Sequence, residues 1–504
     1  MGSAKVGSAK VGSAKVGQSG MAVHPGDMDP EAFRREAHRL ADWIADYLSS
    51  SSKYPVLSRV RPGDVRTSLP DEAPHTGESF ETIFNDFERI LLPAVTHWNH
   101  PGFFAYFAIT GSGPGILGEF LSAALNQQAM LWRTSPAATE LEEVTLRWLQ
   151  RLIHLPDDFE GVIYDTASIS TLHALAAARE RSVPGVREHG MAGRRGLGSF
   201  RVYCSDQTHS SIDKSVILLG LGQASLRKIP SDDAFRMRVD ALRAAIEEDR
   251  TAGIIPMAVV ATVGSTSTTS VDPLGEIAAL CTQDAIWLHV DAAYAGVAAM
   301  APGYERLLDG AASADSLVVN PHKWLFTPFD ASVLYCRHMQ VLRAAFSLVP
   351  EYLRTSESND VKNLMDTGIQ LGRRFRALKL WMVMRYFGAE GLRDRIAEHI
   401  RLARLFASWI DESPDFERIA PVPFSVVCFR ALPPSGGSAP EIDALNERLL
   451  ELVNRGGEIF ISHTRLNGNV ALRLAVGNLK TTEVHVRRAW DLLEAGLHEV
   501  LSLH

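Results

Sequence analysis

The sequence predicts an α/β fold built around a mostly parallel sheet, and three observations carry that expectation. Residues 202–205, 258–263, 286–290 and 317–320 form short runs that are β-branched or fully apolar, the composition of strands buried on both faces. About 20–25 residues of helical or loop pattern separate the last three runs, which suits crossover connections. The residues able to do chemistry follow directly after these runs, where parallel sheets bind their ligands.

Composition agrees. A chain of 504 residues with 46% hydrophobic and 22% charged residues has material for two to four domains and an ample core. It excludes a disordered chain, a collagen-like repeat and a small disulfide scaffold. The net charge of −8 argues against nucleic acid or an anionic membrane surface as partner. The threefold Gly-Ser-Ala-Lys-Val at the start reads as an engineered leader over residues 1–20, with Met21 as the native start. Removing its three lysines from the 51 basic residues leaves 48 against 59 acidic ones, a charge of −11. Cys204, Cys281, Cys336 and Cys428 lie far apart and make no CxxC pair, so neither a disulfide framework nor a metal site is expected. No run reaches the roughly 20 apolar residues of a membrane span, and a cytoplasmic protein is expected.

Along the chain, Phe33, Ala37, Leu40, Ile44 and Leu48 recur at helical spacing, and a serine- and proline-rich stretch then breaks the pattern. A second helical pattern over 80–91 precedes an aromatic-rich segment over 97–107. Short helices around a linker rarely bury their own faces, so residues 21–108 are expected to form an arm packed on a second subunit. The sheet-bearing region over 109–377 is the expected large domain. From 378 a long helix and then mixed strands and helices indicate a smaller α+β domain over 378–504.

Lys323 stands directly after the run ending at Asn320, beside Trp324, Leu325 and Phe326. Poor solvation among them favours the neutral amine, which can form a Schiff base with an aldehyde. An isolated strand-end lysine would ordinarily reach solvent. Asp291 changes that reading: it ends another apolar run and is followed by small residues, so it can keep a pyridinium nitrogen protonated while Ala293 leaves room for a flat ring. Thr166-Ala167-Ser168 opens an alanine-rich helix whose N-terminus could hold a phosphate, although serine and threonine are also ordinary N-caps. His209 follows a third run and could stack on the ring's opposite face.

This ordered set, with His289-Val290-Asp291-Ala292-Ala293-Tyr294-Ala295-Gly296 and Asn320-Pro321-His322-Lys323-Trp324 at its heart, resembles the group II pyridoxal-phosphate-dependent decarboxylases, and among them the aromatic-L-amino-acid decarboxylases. The resemblance runs from about residue 27 to about 495. It implies a type I aminotransferase-like fold with a seven-stranded, mostly parallel sheet, pyridoxal 5'-phosphate as cofactor, and a homodimer with shared active sites. It further implies decarboxylation of an aromatic L-amino acid to the arylalkylamine. Lys323 matches the Schiff-base lysine, Asp291 the pyridinium partner, and Ala293 and His209 the two faces that hold the ring. Ala167, Ser168, Asn320 and His322 match phosphate-binding positions, and Thr266 the threonine beside cofactor and substrate carboxylate. Trp98, Tyr106 and Phe107 match the aromatic wall of the substrate pocket.

Tyr352 matches the mobile-loop tyrosine that protonates the substrate carbon, where related aldehyde synthases carry phenylalanine. Residues 354–363 are polar and weakly periodic, as a lid would be. The substrate pocket departs from the animal enzymes at Ala108 and Ile109, and at Gln128 and Met130, which match positions the neighbouring subunit supplies. Gly372 matches a position where glycine accompanies indolic and serine phenolic substrates. Tyr164, Asp165, Ile169 and Ser170 depart from the common phosphate-loop pattern, while Ala167 and Ser168 keep it. An aldehyde synthase, a histidine or glutamate decarboxylase, and a non-catalytic cofactor-binding protein are the alternatives. The last would be free to lose Lys323, Asp291 and His209.

Overall fold

The computed structural model describes residues 27–348, 361–434 and 436–502, and the chain divides into two compact units. The first holds residues 27–50 and 74–85. Its amphipathic helix Pro30–Ser50 has no buried residue. Trp43 stacks on Tyr47 at 5.4 Å and meets the edge of Phe84 at 6.0 Å. Among the described residues, no helix is long and apolar enough to cross a membrane.

The second unit carries two sheets. Its first strand, β1, is only Phe103–Phe104. The main sheet follows with β2 (Glu160–Tyr164), β3 (Phe200–Ser205), β4 (Leu226–Ile229), β5 (Ile255–Thr262), β6 (Trp287–Asp291), β7 (Ser316–Val319) and β8 (Ser332–Cys336). The spatial order is β2-β8-β7-β6-β5-β3-β4, and every neighbouring pair from β7 to β4 is parallel. Among these described strands, β8 alone runs against its neighbours. This is the seven-stranded, mostly parallel sheet expected.

The strands are apolar without alternation because both sheet faces are covered. On β5, Ala258 and Val260 enter one core with the alanine-rich helix Ala167–Ser182, while Val259 and Ala261 enter the other with helix Leu274–Gln283. Each fully buried valine is worth about 1.5–3 kcal/mol. The run of alanines from Ala174 to Ala178 on the covering helix, interrupted only by Leu175, leaves little side chain between helix and sheet.

The second sheet comprises β1 with β9 (Phe416–Arg418), β10 (Val426–Ala431), β11 (Phe460–Leu466) and β12 (Asn469–Ala475), in the order β1-β11-β12-β10-β9. Here β1 lies parallel to β11, with Phe103 opposite Phe460 and Phe104 opposite Ile461. Residues 103–104 therefore belong to a sheet otherwise made from the C-terminal part of the chain. Helices Arg376–Glu412, Ala439–Gly456 and Glu483–Ser502 contribute to its core.

Candidate active site

Parallel strands deliver their last residues to one edge, and a cavity of about 420 Å³ opens there. Thr262 ends β5 and Asp291 ends β6; both line it. Asn320 caps the short helix Pro321–Trp324 that follows β7 and carries Lys323 into the same space. His209, Thr266, Ala167 and Ser168 come from the loops and helix start beyond β3, β5 and β2. The strand-end residues singled out in the sequence thus meet in one place.

Their local geometry is defined by neighbours. The Ala293 amide donates to Asp291 Oδ1 at 3.1 Å, which fixes the buried carboxylate beside a residue with a minimal side chain. Burial lowers the pKa of the Lys323 amine; the Asp291 charge opposes this and the Arg473 charge reinforces it. A larger share of neutral amine is the consequence, as nucleophilic lysine requires. His322 is buried and accepts the Ala331 amide on Nδ1 at 2.9 Å, and desolvation pushes its pKa down to about 3, so it stays neutral. His209 is held by Ser211, whose hydroxyl lies 2.9 Å and whose amide lies 3.1 Å from Nδ1.

The cavity fits the expected cofactor by its unmet polar atoms. Thr262 Oγ1 and Asn320 Oδ1 are buried and have no partner among the described residues. Such atoms cost about 1–3 kcal/mol unless an occupant satisfies them. Helix Ala167–Ser182 begins with Thr166 as its cap, and Ile169 and Ser170 donate the first bonds back to Thr166. The amides of Ala167 and Ser168 have no intrahelical acceptor, an arrangement suited to a phosphate. A buried carboxylate, a neutral-prone amine and a phosphate cup in one cavity match the three functional parts of pyridoxal phosphate.

Opposite this polar half stands an aromatic wall of Trp98, Tyr106 and Phe107, with Ile109 beside it. Trp98 stacks on Phe103 at 4.3 Å and on Tyr106 at 6.0 Å. Phe107 stacks on Tyr294 at 3.8 Å, and Tyr294 on Trp324 at 4.8 Å. The indole of Trp324 in turn donates to His399 Nδ1 at 3.0 Å.

Three expected residues do not line this cavity. Gln128, Met130 and Gly372 gather elsewhere: the Arg373 amide donates to Gln128 Oε1 at 2.7 Å, and the Met365 amide to the Met130 carbonyl at 3.1 Å. A buried ion pair of Arg373 with Glu142, at 2.8 Å, anchors the segment. Tyr164 and Asp165, which depart from the family pattern, also tie this segment down. The Tyr164 hydroxyl donates to the Thr367 carbonyl, and Gln370 Nε2 to Asp165 at 3.3 Å. Tyr352 lies outside the described residues.

The structure also adds residues that sequence reasoning missed: Phe329, Ser267, Ser462, His463, Thr464 and Arg473 line the cavity. Arg473 left a readable signal, a lone cation inside the apolar run 470–476. Gly264 is required by conformation, with φ of +87°, and a Cβ at this position would stand 2.6 Å from Ala295 Cβ. Gly264→Ala is expected to lower unfolding stability by about 2 kcal/mol, read by denaturant titration; a loss within experimental error would mean the loop adapts.

Comparison with known proteins points the same way. The pyridoxal-dependent decarboxylase conserved domain matches residues 62–432. Phenylacetaldehyde synthase of Arabidopsis thaliana is 41% identical over 486 residues, covering 94% of this chain and 97% of that protein. Tyrosine decarboxylase 2 of Narcissus pseudonarcissus is 42% identical over 477 residues, covering 93% and 94%. The crystal structure of Catharanthus roseus tryptophan decarboxylase in complex with L-tryptophan superposes with a TM-score of 0.88 at 37% identity, covering 94% of this chain and 100% of that one. Fold, cavity and relatives converge: the chain belongs to the pyridoxal-dependent decarboxylases, which are carboxy-lyases.

Proposed function

We propose that this protein is a cytoplasmic homodimeric enzyme that removes the carboxylate of an aromatic L-amino acid and releases the arylalkylamine. The observation that carries the reading is one cavity lined both by Lys323, Asp291 and His209 and by Trp98, Tyr106 and Phe107. Pyridoxal phosphate, when bound, supplies an electron sink for the pair left behind by carbon dioxide. Lys323 would hold the cofactor through its amine, and Asp291 would keep the ring nitrogen protonated. His209 and Ala293 would confine the ring, Ala167, Ser168, Asn320 and His322 would hold the phosphate, and Thr266 would stand near the substrate carboxylate. The aromatic wall would orient the substrate side chain and with it the bond to be broken; orientation of this kind contributes several kcal/mol.

The homodimer is supported by apolar surface left open on this chain. Leu117, Phe120, Leu121 and Leu125 are exposed on helix Gly113–Leu125, and Ile369 and Leu371 on the segment beside Gly372. In this reading Gln128, Met130 and Gly372 complete the pocket of the second subunit, and the part of the N-terminal arm that precedes Trp98 packs on that subunit, since Trp98 to Phe107 belong to this chain's own site. Arg473 also lines the cavity; two main-chain carbonyls hold its Nε and Nη1, while its Nη2 is buried without a partner among the described residues.

The test is product analysis with tryptophan, tyrosine, dihydroxyphenylalanine, phenylalanine, histidine and glutamate. Amine and carbon dioxide from at least one aromatic substrate are expected, whereas turnover of histidine or glutamate alone overturns the reading. The aldehyde synthase relative gives a second reading some weight, and Tyr352 separates the two. Tyr352→Phe is expected to shift product from amine toward aldehyde, with oxygen consumed and peroxide formed. An unchanged amine yield without peroxide removes Tyr352 from the role of proton donor.

A further inference from the structure

The two halves of the cavity hang on different sheets. Asp291 and Lys323 are carried by the main sheet, at the ends of β6 and β7. Trp98 and Tyr106 of the wall flank β1, the edge strand of the second sheet, while Phe107 stacks on Tyr294 beyond β6. Their relative placement therefore needs a joint.

Arg473, on β12, touches both halves. Its Nε donates to the Ser267 carbonyl at 2.9 Å, on the loop that follows β5 of the main sheet. One terminal nitrogen donates to the Tyr106 carbonyl. Its guanidinium carbon lies 4.6 Å from the centre of the Phe107 ring, and the Lys323 amine lies 5.1 Å from that same ring. The side chain is buried with no carboxylate among its charge partners, and its Nη2 has no hydrogen-bond partner among the described residues. A buried guanidinium is costly unless its bonds do something no apolar side chain could. Here its charged fork joins two carbonyls from separate parts of the fold.

Tyr106 shows why such a joint is needed. Its φ of +52° is left-handed, a conformation that non-glycine residues adopt only when their surroundings enforce it. Its amide donates to Ser462 Oγ at 3.2 Å, from β11, and its carbonyl accepts from Arg473 on β12. The ring is mostly exposed, so packing alone does not hold the turn. A second tie runs alongside, between Ser267 Oγ and Thr464 Oγ1 at 2.8 Å.

We propose that Arg473, assisted by Ser462, is a positioning residue that locks the left-handed turn at Tyr106 and so sets the substrate wall in register with the cofactor half of the site. This rests on the reading of Trp98, Tyr106 and Phe107 as the substrate wall. Lysine cannot replace it, since a single ammonium lacks the planar fork that spans both carbonyls and lies over Phe107.

The experiment compares the holoenzyme with Arg473→Met, Arg473→Lys and Ser462→Ala by hydrogen exchange and by steady-state kinetics. Amides of residues 98–109 are expected to exchange about tenfold faster in Arg473→Met and measurably faster in Ser462→Ala, with residues 287–323 unchanged. In Arg473→Met, kcat/KM for the aromatic substrate falls at least about tenfold, through kcat as well as KM, the pattern of a substrate held less well oriented. Arg473→Lys shows most of that loss, and the affinity of the apoprotein for pyridoxal phosphate stays within about threefold. Exchange unchanged at 98–109 in both Arg473→Met and Ser462→Ala overturns the proposal. Equal acceleration at 287–323 overturns it too, since that is general loosening. Exchange is read without turnover, so it tests the joint even if the unaltered enzyme fails to decarboxylate aromatic substrates.

Discussion

Lys323→Ala is expected to lower kcat on the order of a thousandfold or more and to remove the visible absorbance of lysine-bound cofactor. The reason lies in what surrounds the amine. It sits at the end of β7 within reach of the Asp291 charge, and burial keeps part of it neutral at working pH. Among the described residues no second lysine lines the cavity, so alanine leaves the cofactor without its covalent anchor. A variant that kept more than about a tenth of the activity would show that the anchor is dispensable, against the mechanism of the family.

Lowering the pH from 6.5 toward 4 is expected to destabilise the protein steeply through its buried histidines. His173, His289 and His399 are buried and held down to about 4, and His322 to about 3, against an ordinary 6.5. Desolvation is the leading cause in each, and hydrogen bonding shows what a proton would break. His322 Nδ1 accepts from the Ala331 amide, His399 Nδ1 from the Trp324 indole, and His173 Nε2 from the Ile369 amide. A protonated ring cannot accept on those atoms. Because each folded-state pKa lies below its unfolded value, the unfolded chain binds more protons between pH 6.5 and 4. The stability these groups contribute is whole above 6.5 and is lost as pH falls toward 4. Each of the three at about 4 accounts for about 3 kcal/mol at full titration and His322 for about 5 kcal/mol, against a typical total of ~5–15 kcal/mol. Asp272 acts the other way, since burial raises it to about 6, but one such group offsets only one histidine. Denaturant midpoints measured between pH 7 and 4.5 should fall steeply; a flat profile would mean these rings protonate without loss of structure.

Much of this site was legible because the covalent chemistry demands particular residues at strand ends, and strand ends can be found from apolar runs. β3, β5, β6 and β7 announce themselves as unbroken apolar segments, and Asp291 and Lys323 follow from them. β4 did not, because Arg227 and Lys228 make an edge strand look like a surface turn. β2 is short and begins with Glu160-Gly161, and β8 runs antiparallel, outside the strand–crossover–strand rhythm of its neighbours. The roles of Arg473 and Ser462 were hidden for a different reason, although Arg473 itself stands out as a lone cation in an apolar run. Their meaning depends on Tyr106 and Ser267, far away in sequence, and periodicity carries no such long-range pairing.

That separation bears on how the protein is made. Phe103 and Phe104 leave the ribosome early, yet the strand they pair with begins at Phe460. At 5–20 residues per second, roughly 20–70 s pass before β11 exists to receive them. During that interval Asp291 and Lys323 emerge with the main sheet while the aromatic segment has nowhere to dock. The apolar stretch around Trp98 and Phe103 is then exposed and open to capture by chaperones or by other nascent chains. Closure of this long loop is slow on entropic grounds as well. The second sheet is therefore the last gate in the biogenesis of the pocket, and a chain cut before Phe460 would carry the reactive lysine without the strand that seats its wall.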